Sequence, residues 1–278
     1  MGLPMAGHLL RAGFPLIVHT RTESKAAELL SAGAKWAETP ALAAAESDVV
    51  FVCVTDTPDV ENVLLGKGGV GNSARPGLIV VDHSTISPTA TKRMAAELAA
   101  RGTTMLDAPV SGGDVGAKNA TLSIMVGGER AAFDRVLPLL QHLGKTITHC
   151  GPSGSGQFTK LVNQILVSVN NLAACEALTL AIAGGLDPAK TITAVAGGGA
   201  GSWQLSNLGP KMIAGDFRPG FMIDLQQKDL RLVLEAAKEA GIDLTATKIV
   251  AELFERAQKQ GLGREGTQAL FKMVRNSD

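Results

Sequence analysis

Lys160 stands near the start of a mostly apolar stretch, directly after Gly154-Ser155-Gly156, and Asn163 and Gln164 follow it at three and four residues. On a helix, that spacing puts the three side chains on one face. An ammonium in such surroundings costs free energy unless a partner, such as a bound anion, offsets it. A lysine placed there can donate a proton to a carbonyl oxygen and stabilise the alkoxide that develops. Asn163 and Gln164 can orient a substrate or the lysine. The plainer alternative is a helix-end lysine whose ammonium snorkels to water. Ser111-Gly112-Gly113 is a second candidate, because exposed backbone amides and a hydroxyl can hold a carboxylate. An ordinary glycine turn has the same composition.

These groups need elements to position them. The first half of the chain alternates short strands with helices. Pro15 to Thr20, Asp48 to Val54, Leu78 to Asp82 and Thr103 to Leu106 read as strands. The near-continuous apolar run Asp48 to Val54 suits a parallel strand covered on both faces. Leu122 to Val126, Glu129 to Leu140 and Thr146 to His149 add one more strand-helix-strand unit. The rhythm predicts a doubly wound parallel sheet. After Gly156 the texture changes. Phe158 to Gly184 is apolar around most of its circumference, which predicts a long buried helix. The remainder is helical, with no strand pattern. The expected division is an α/β domain over 1–152 and an all-α domain over 153–278. The chain opens on a helix, Met1-Gly2-Leu3-Pro4-Met5-Ala6, with no strand ahead of it. A sheet of this kind needs a first strand and a tight glycine turn before that helix. A segment of about ten residues is therefore expected upstream.

Composition excludes several classes. Lys+Arg and Asp+Glu both number 26, so the formal charge is zero. Nucleic acid or an anionic membrane surface would call for clustered basic residues. There is no Tyr, so a Tyr–Lys acid pair is excluded. The three cysteines lie far apart, which suits a reducing compartment and gives neither a zinc site nor a disulfide scaffold. The five histidines show no metal-ligand spacing. No uninterrupted apolar run predicts a membrane span and no signal peptide is visible, so the expected location is the cytoplasm.

The carboxyl ends of parallel strands are where ligands bind. Gly2 begins a helix whose N-terminus could face a pyrophosphate. Thr20-Arg21-Thr22 ends the first predicted strand without the carboxylate that a ribose 2′-hydroxyl would need. Arg21 and Thr22 would instead suit a 2′-phosphate, by bidentate donation. A solvated arginine is the alternative. Val54-Thr55-Asp56 and Ser84-Thr85 follow the next two strands.

Three motifs in register carry a resemblance. Asp107-Ala-Pro-Val-Ser-Gly-Gly113 is followed by Thr121-Leu-Ser-Ile-Met-Val-Gly-Gly128. Gly151-Pro-Ser-Gly-Ser-Gly156-Gln-Phe-Thr-Lys160-Leu-Val-Asn163-Gln164 comes next, then Phe217-Arg-Pro-Gly-Phe221 with Leu225-Gln-Gln-Lys228-Asp229-Leu230. Together they resemble the β-hydroxyacid dehydrogenases, which include 3-hydroxyisobutyrate dehydrogenase. Asn-Gln after Lys160 looks most like the tartronate semialdehyde reductase branch. The resemblance implies a Rossmann-type N-terminal domain and an all-α C-terminal domain. It implies a nicotinamide cofactor; Arg21 and Thr22 make NADPH the expected preference, with NADH possible, and the histidine and cysteine spacing gives no metal. Lys160 is implied as the catalytic residue, and Ser111, Gly112, Gly113, Asn163 and Gln164 as substrate contacts. Met1, Gly2, Arg21, Thr22, Val54, Thr55, Thr85 and Lys228 are implied at the cofactor. The substrate would be a small semialdehyde or hydroxyacid, and the assembly a homodimer or homotetramer.

Two departures stand out. Gly2 matches only the third glycine of the family's Gly-x-Gly-x-x-Gly, so the first strand and two glycines are absent. Asn119-Ala120 stands where the family usually has Gly before Thr-Leu. Two rivals follow. One is an imine reductase, against which Lys160 argues. The other is a scaffold protein that has lost its cofactor.

Overall fold

The computed structural model describes residues 1–275. The chain divides into two compact units, the first Met1–Lys160 and the second beginning at Leu161. The sequence places the change of texture at 152/153. The opening turns of the long helix stay with the first unit.

In the first unit, helix α1 (Gly2–Arg11) leads to strand β1 (Ile17–Val18), helix α2 (Ala27–Ser31), strand β2 (Lys35–Trp36) and helix α3 (Pro40–Ala45). Strand β3 (Val49–Val52), helix α4 (Thr57–Leu65), strand β4 (Ile79–Asp82), helix α5 (Pro88–Ala99) and strand β5 (Thr104–Asp107) continue the alternation. Strand β6 (Val110–Ser111), helix α6 (Gly113–Lys118), strand β7 (Leu122–Gly127), helix α7 (Arg130–Leu140) and strand β8 (Gly144–Gly151) complete it. Thr39, Asp56 and Ser87 each cap a helix that has Pro in its first turn, so α3, α4 and α5 start where the sequence supplies both signals.

The sheet is mixed, not wholly parallel as expected. β3, β4 and β5 are parallel, but β7 runs antiparallel to both β5 and β6, and β8 then pairs parallel with β7. A parallel return needs a crossover of about a dozen residues or more. The six-residue α6 is too short to supply it, so the chain comes back in the opposite direction. β1 and β2 form a separate two-stranded parallel sheet. β4 is fully buried, with Ile79 and Val81 in one core and Val80 in the other, which also takes Leu78 just before the strand. The first core also takes Met5 and Leu9 of α1 and Phe133, Val136 and Leu140 of α7. β3 differs from the expectation of cover on both faces. Among the described residues it pairs with β4 alone, and Val49, Val50 and Phe51 are half-buried.

The 29-residue helix α8 (Ser155–Ala183) links the units. By length and composition it could cross a membrane, contrary to the sequence expectation. That expectation rested on polar interruptions, and these fall into a pattern. Gln157, Lys160, Gln164, Ser168 and Asn171 recur at three or four residues and are all buried. The opposite face leaves Phe158, Val162 and Leu166 exposed at intervals of four. The first half of the helix is therefore largely inverted, polar within and apolar without, whereas the second half turns Leu172, Cys175 and Leu178 inward; the helix is not buried all round.

The second unit is helical, as expected: α9 (Pro188–Ala196), α10 (Trp203–Ile213), α11 (Ile223–Glu239), α12 (Thr245–Lys259) and α13 (Leu270–Arg275). Its core gathers Cys175 and Leu178 of α8 with Ile223 and Leu230 of α11, Val250 and Phe254 of α12, and Leu270 and Phe271 of α13.

Candidate active site

The carboxyl ends of β3 and β4 are joined by a side chain. Ser84 Oγ accepts from Val54 N at 2.9 Å, and Ser84 N donates to Asp82 Oδ1 at 2.9 Å. This fixes Val54 and Ser84 as neighbours, with Thr55 exposed and Thr85 half-buried beside them. Asp56 acts as the cap of α4, through Thr57 N at 2.7 Å. At α1 no side chain caps the N-terminus at Met1. A Cβ on Gly2 would meet Cys53 Cβ at 3.6 Å, an ordinary contact. Close packing therefore does not demand glycine at this position. Cys53 lies just past β3, and burial pushes its thiol up. Arg21 is 83% exposed and pairs with Asp59 at 3.5 Å, and Thr22 is exposed.

An uncapped helix N-terminus and serine and threonine loops at the carboxyl ends of β3 and β4 are what a dinucleotide needs. The exposed Arg21 guanidinium beyond β1, paired with Asp59 at 3.5 Å, is of the kind that fits an anionic ribose substituent. These residues fit a nicotinamide cofactor, with Gly2 in the place of the third glycine of the Gly-x-Gly-x-x-Gly pattern.

Ser111 ends β6 and pairs with Ser123. Gly112 and Gly113 have φ of +129° and +63°. Both values lie where side chains are strained, so the turn that exposes these amides depends on the two glycines. Ala120, also left-handed at φ +53°, has no such freedom.

Lys160 is 7% exposed, within the second turn of α8. The start of α8 is held by two buried groups to which the sequence reading gave no role. The Asp107 carboxylate, at the end of β5, accepts Gly154 N at 2.8 Å and Gln157 N at 2.9 Å. Burial raises its pKa, and the amides at the helix start oppose that rise. Gln157, fully buried, donates Nε2 to Ser84 O at 2.8 Å and accepts Ile86 N on Oε1 at 3.1 Å. An acid at a strand end, facing a glycine-rich helix start, was the signal available for Asp107. Gln157 carried no signal, since its partners lie over seventy positions away.

In the second unit, Gln164 is buried. Its Oε1 accepts from Asn163 Nδ2 at 2.8 Å, and its Nε2 donates to Asp229 Oδ2 at 2.5 Å. Asp229 Oδ1 lies 2.7 Å from Lys228 Nζ. The two segments expected to supply ligand contacts, Asn163-Gln164 and Lys228, are thus joined through one buried carboxylate. Both ends of the Gln164 carboxamide are engaged within the protein.

Four of the five histidines, which the sequence reads as structural, are tied to the backbone. His8, His19, His83 and His149 each bond a backbone carbonyl. Among the described residues, no group of three or more His, Cys, Asp or Glu is placed to hold a metal ion.

Comparison with known proteins agrees with this geometry. Residues 1–151 match the NAD binding domain of 6-phosphogluconate dehydrogenase. Residues 154–274 match the NAD-binding domain of NADP-dependent 3-hydroxyisobutyrate dehydrogenase. The chain is 47% identical over 261 residues to the 2-hydroxy-3-oxopropionate reductase of Escherichia coli, covering 94% of this chain and 89% of that one. It is 39% identical over 275 residues to the 2-(hydroxymethyl)glutarate dehydrogenase of Eubacterium barkeri, covering 98% and 91%. The structure of Mycobacterium tuberculosis 3-hydroxyisobutyrate dehydrogenase with L-serine superposes with a TM-score of 0.91 at 29% identity, covering 99% and 96%.

Proposed function

Because this chain belongs to the β-hydroxyacid dehydrogenase family and is an NAD(P)-dependent oxidoreductase acting on CH–OH groups, we propose that it reversibly reduces a small semialdehyde acid of the tartronate semialdehyde type. The observation that carries this reading is Lys160, an ammonium buried in the second turn of α8. The Asn163-Gln164 pair behind it and the 47% identical Escherichia coli reductase support the substrate class.

The nicotinamide, when bound, supplies or accepts the hydride. Lys160 donates a proton from Nζ to the carbonyl oxygen, and its charge stabilises the alkoxide before transfer is complete. In the reverse direction it takes the hydroxyl proton back. The amides of Gly112 and Gly113 and the Ser111 hydroxyl hold the substrate carboxylate. Asn163 faces the substrate from the same helix face as Lys160, and Gln164 holds Asn163 in place. Met1 and Gly2 serve the pyrophosphate. Val54, Thr55, Thr85 and Lys228 serve the remainder of the cofactor. Arg21 and Thr22 favour NADPH over NADH. The oxidoreductase names of the relatives support catalysis over a scaffold role. The cysteines, all free, favour the cytoplasm. The exposed Phe158, Val162 and Leu166 favour a homodimer or homotetramer.

The test is the change in reduced-nicotinamide absorbance, a loss with tartronate semialdehyde and NAD(P)H, and a gain with L-serine or 3-hydroxyisobutyrate and NAD(P)+. Lys160→Ala should lose at least about 100-fold in kcat while still binding cofactor. Retained turnover in that variant would remove Lys160 as the proton donor. A preference for L-serine would move the chain to another branch of the family.

A further inference from the structure

We propose that Gln157 is a positioning residue that couples the cofactor loop after β4 to Lys160; this rests on the proton-donor role given to Lys160 above. Gln157 precedes Lys160 by three residues on α8, hence on the same helix face. Its side chain is fully buried. Its Nε2 donates to Ser84 O at 2.8 Å and its Oε1 accepts Ile86 N at 3.1 Å. These are the backbone groups on either side of Thr85. The carboxamide therefore acts as the peptide of an adjacent strand would, satisfying the carbonyl of one residue and the amide of the next but one. Its own backbone N–H is held by the Asp107 carboxylate at 2.9 Å.

The restraint continues beyond the loop. Ser84 Oγ accepts Val54 N at 2.9 Å, so the loops after β3 and β4 move with whatever fixes Ser84. A continuous set of hydrogen bonds thus runs from Val54 through Ser84 and Gln157 to Asp107, with Lys160 one turn further along the helix. All of these residues belong to the first unit. A hydride donor held by those loops and a proton donor on α8 must meet one carbonyl group. A misplacement of about 1 Å between such groups can cost on the order of 100-fold in rate. Gln157 ties the two placements together without touching substrate.

The test uses Gln157→Glu and Gln157→Ala in the whole chain. A protonated glutamic acid reproduces both hydrogen bonds, donating O–H to Ser84 O and accepting Ile86 N–H. An ionised one cannot donate, and full burial at this position disfavours the charge. Relative to wild type, Q157E should regain roughly tenfold in kcat as the pH falls from about 8 to about 5.5. Q157A should lose ten- to 100-fold in kcat at every pH, with a raised KM for the cofactor. Its Ile86 amide should exchange with solvent faster than in wild type. A merely structural role would lower the melting temperature of both variants and leave the two pH profiles parallel to wild type. That outcome overturns the inference while leaving the reductase reading intact. If the wild type reduces no semialdehyde, the reductase reading fails by itself. The coupling is then judged on amide exchange, and an Ile86 amide exchanging no faster in Q157A overturns it.

Discussion

Gln164 Nε2 meets Asp229 Oδ2 at 2.5 Å, and both side chains are buried to 2% exposure. The pair spans α8 and α11, and each partner holds a neighbour. Gln164 holds Asn163, and Asp229 holds Lys228. Removing either partner strands a buried polar group, so single substitutions should be costly and the double substitution should cost less than their sum. Denaturant unfolding of Gln164→Leu, Asp229→Leu and the double variant is expected to give a coupling of about 1–3 kcal/mol. Additive losses would mean that the two side chains do not interact in solution.

Arg21 pairs with Asp59 at 3.5 Å, but the arginine side chain is 83% exposed. Exposed pairs contribute about 0–1 kcal/mol, whereas hydrogen bonds to a charged group contribute about 1.5–3 kcal/mol. A ribose 2′-phosphate should therefore draw Arg21 away from Asp59. Arg21→Ala should lower the NADPH-over-NADH preference about tenfold or more, mostly through the NADPH KM. Equal preference in the wild type would show that Arg21 is only a solvated residue.

His83 is buried, its Nδ1 2.6 Å from Ala108 O, and its ring stacks on Phe51 at 5.4 Å. Burial lowers its pKa to about 4. The neutral form is the one the fold accepts, so its contribution is present above about pH 6.5, the unfolded value, and is lost as pH falls through 4. The loss should approach roughly 3 kcal/mol, at about 1.4 kcal/mol per pKa unit. Urea unfolding from neutral pH down to about 4 should show this fall in the wild type, and a smaller one in His83→Gln.

Ala120 follows α6 with φ +53°, a conformation that costs a residue with a Cβ about 1–2 kcal/mol. Ala120→Gly relieves that strain but adds unfolded-state entropy. The net expectation is a gain of up to about 1 kcal/mol in unfolding free energy, read as a higher melting temperature with unchanged turnover. A lower melting temperature would place Ala120 in a different backbone conformation.

Phe158, Val162 and Leu166 form an exposed apolar stripe on α8. If a second copy covers it, Val162→Lys and Leu166→Lys should shift sedimentation from oligomer to monomer at micromolar concentration, because a buried unpaired ammonium is costly. A wild type that sediments as a monomer would leave the stripe without that role.

Much of this protein is legible from residue order alone. The strand-helix alternation, the change to an all-helical second half, the capped starts of α4 and α5, and Lys160 with Asn163 and Gln164 on one helix face all follow from local rules. Period, capping and turn chemistry act over a few residues, and so they can be read from a few residues. The antiparallel return of β7, the edge position of β3 and the inverted first half of α8 were decided by tertiary structure. So were the roles of Gln157, Asp107 and Asp229. Each of these depends on a partner tens of positions away: Gln157 on Ser84 and Ile86, Asp107 on Gly154, and Asp229 on Gln164. A buried hydrogen bond is satisfied by whatever the fold brings within about 3 Å. No spacing rule along one chain encodes that distance.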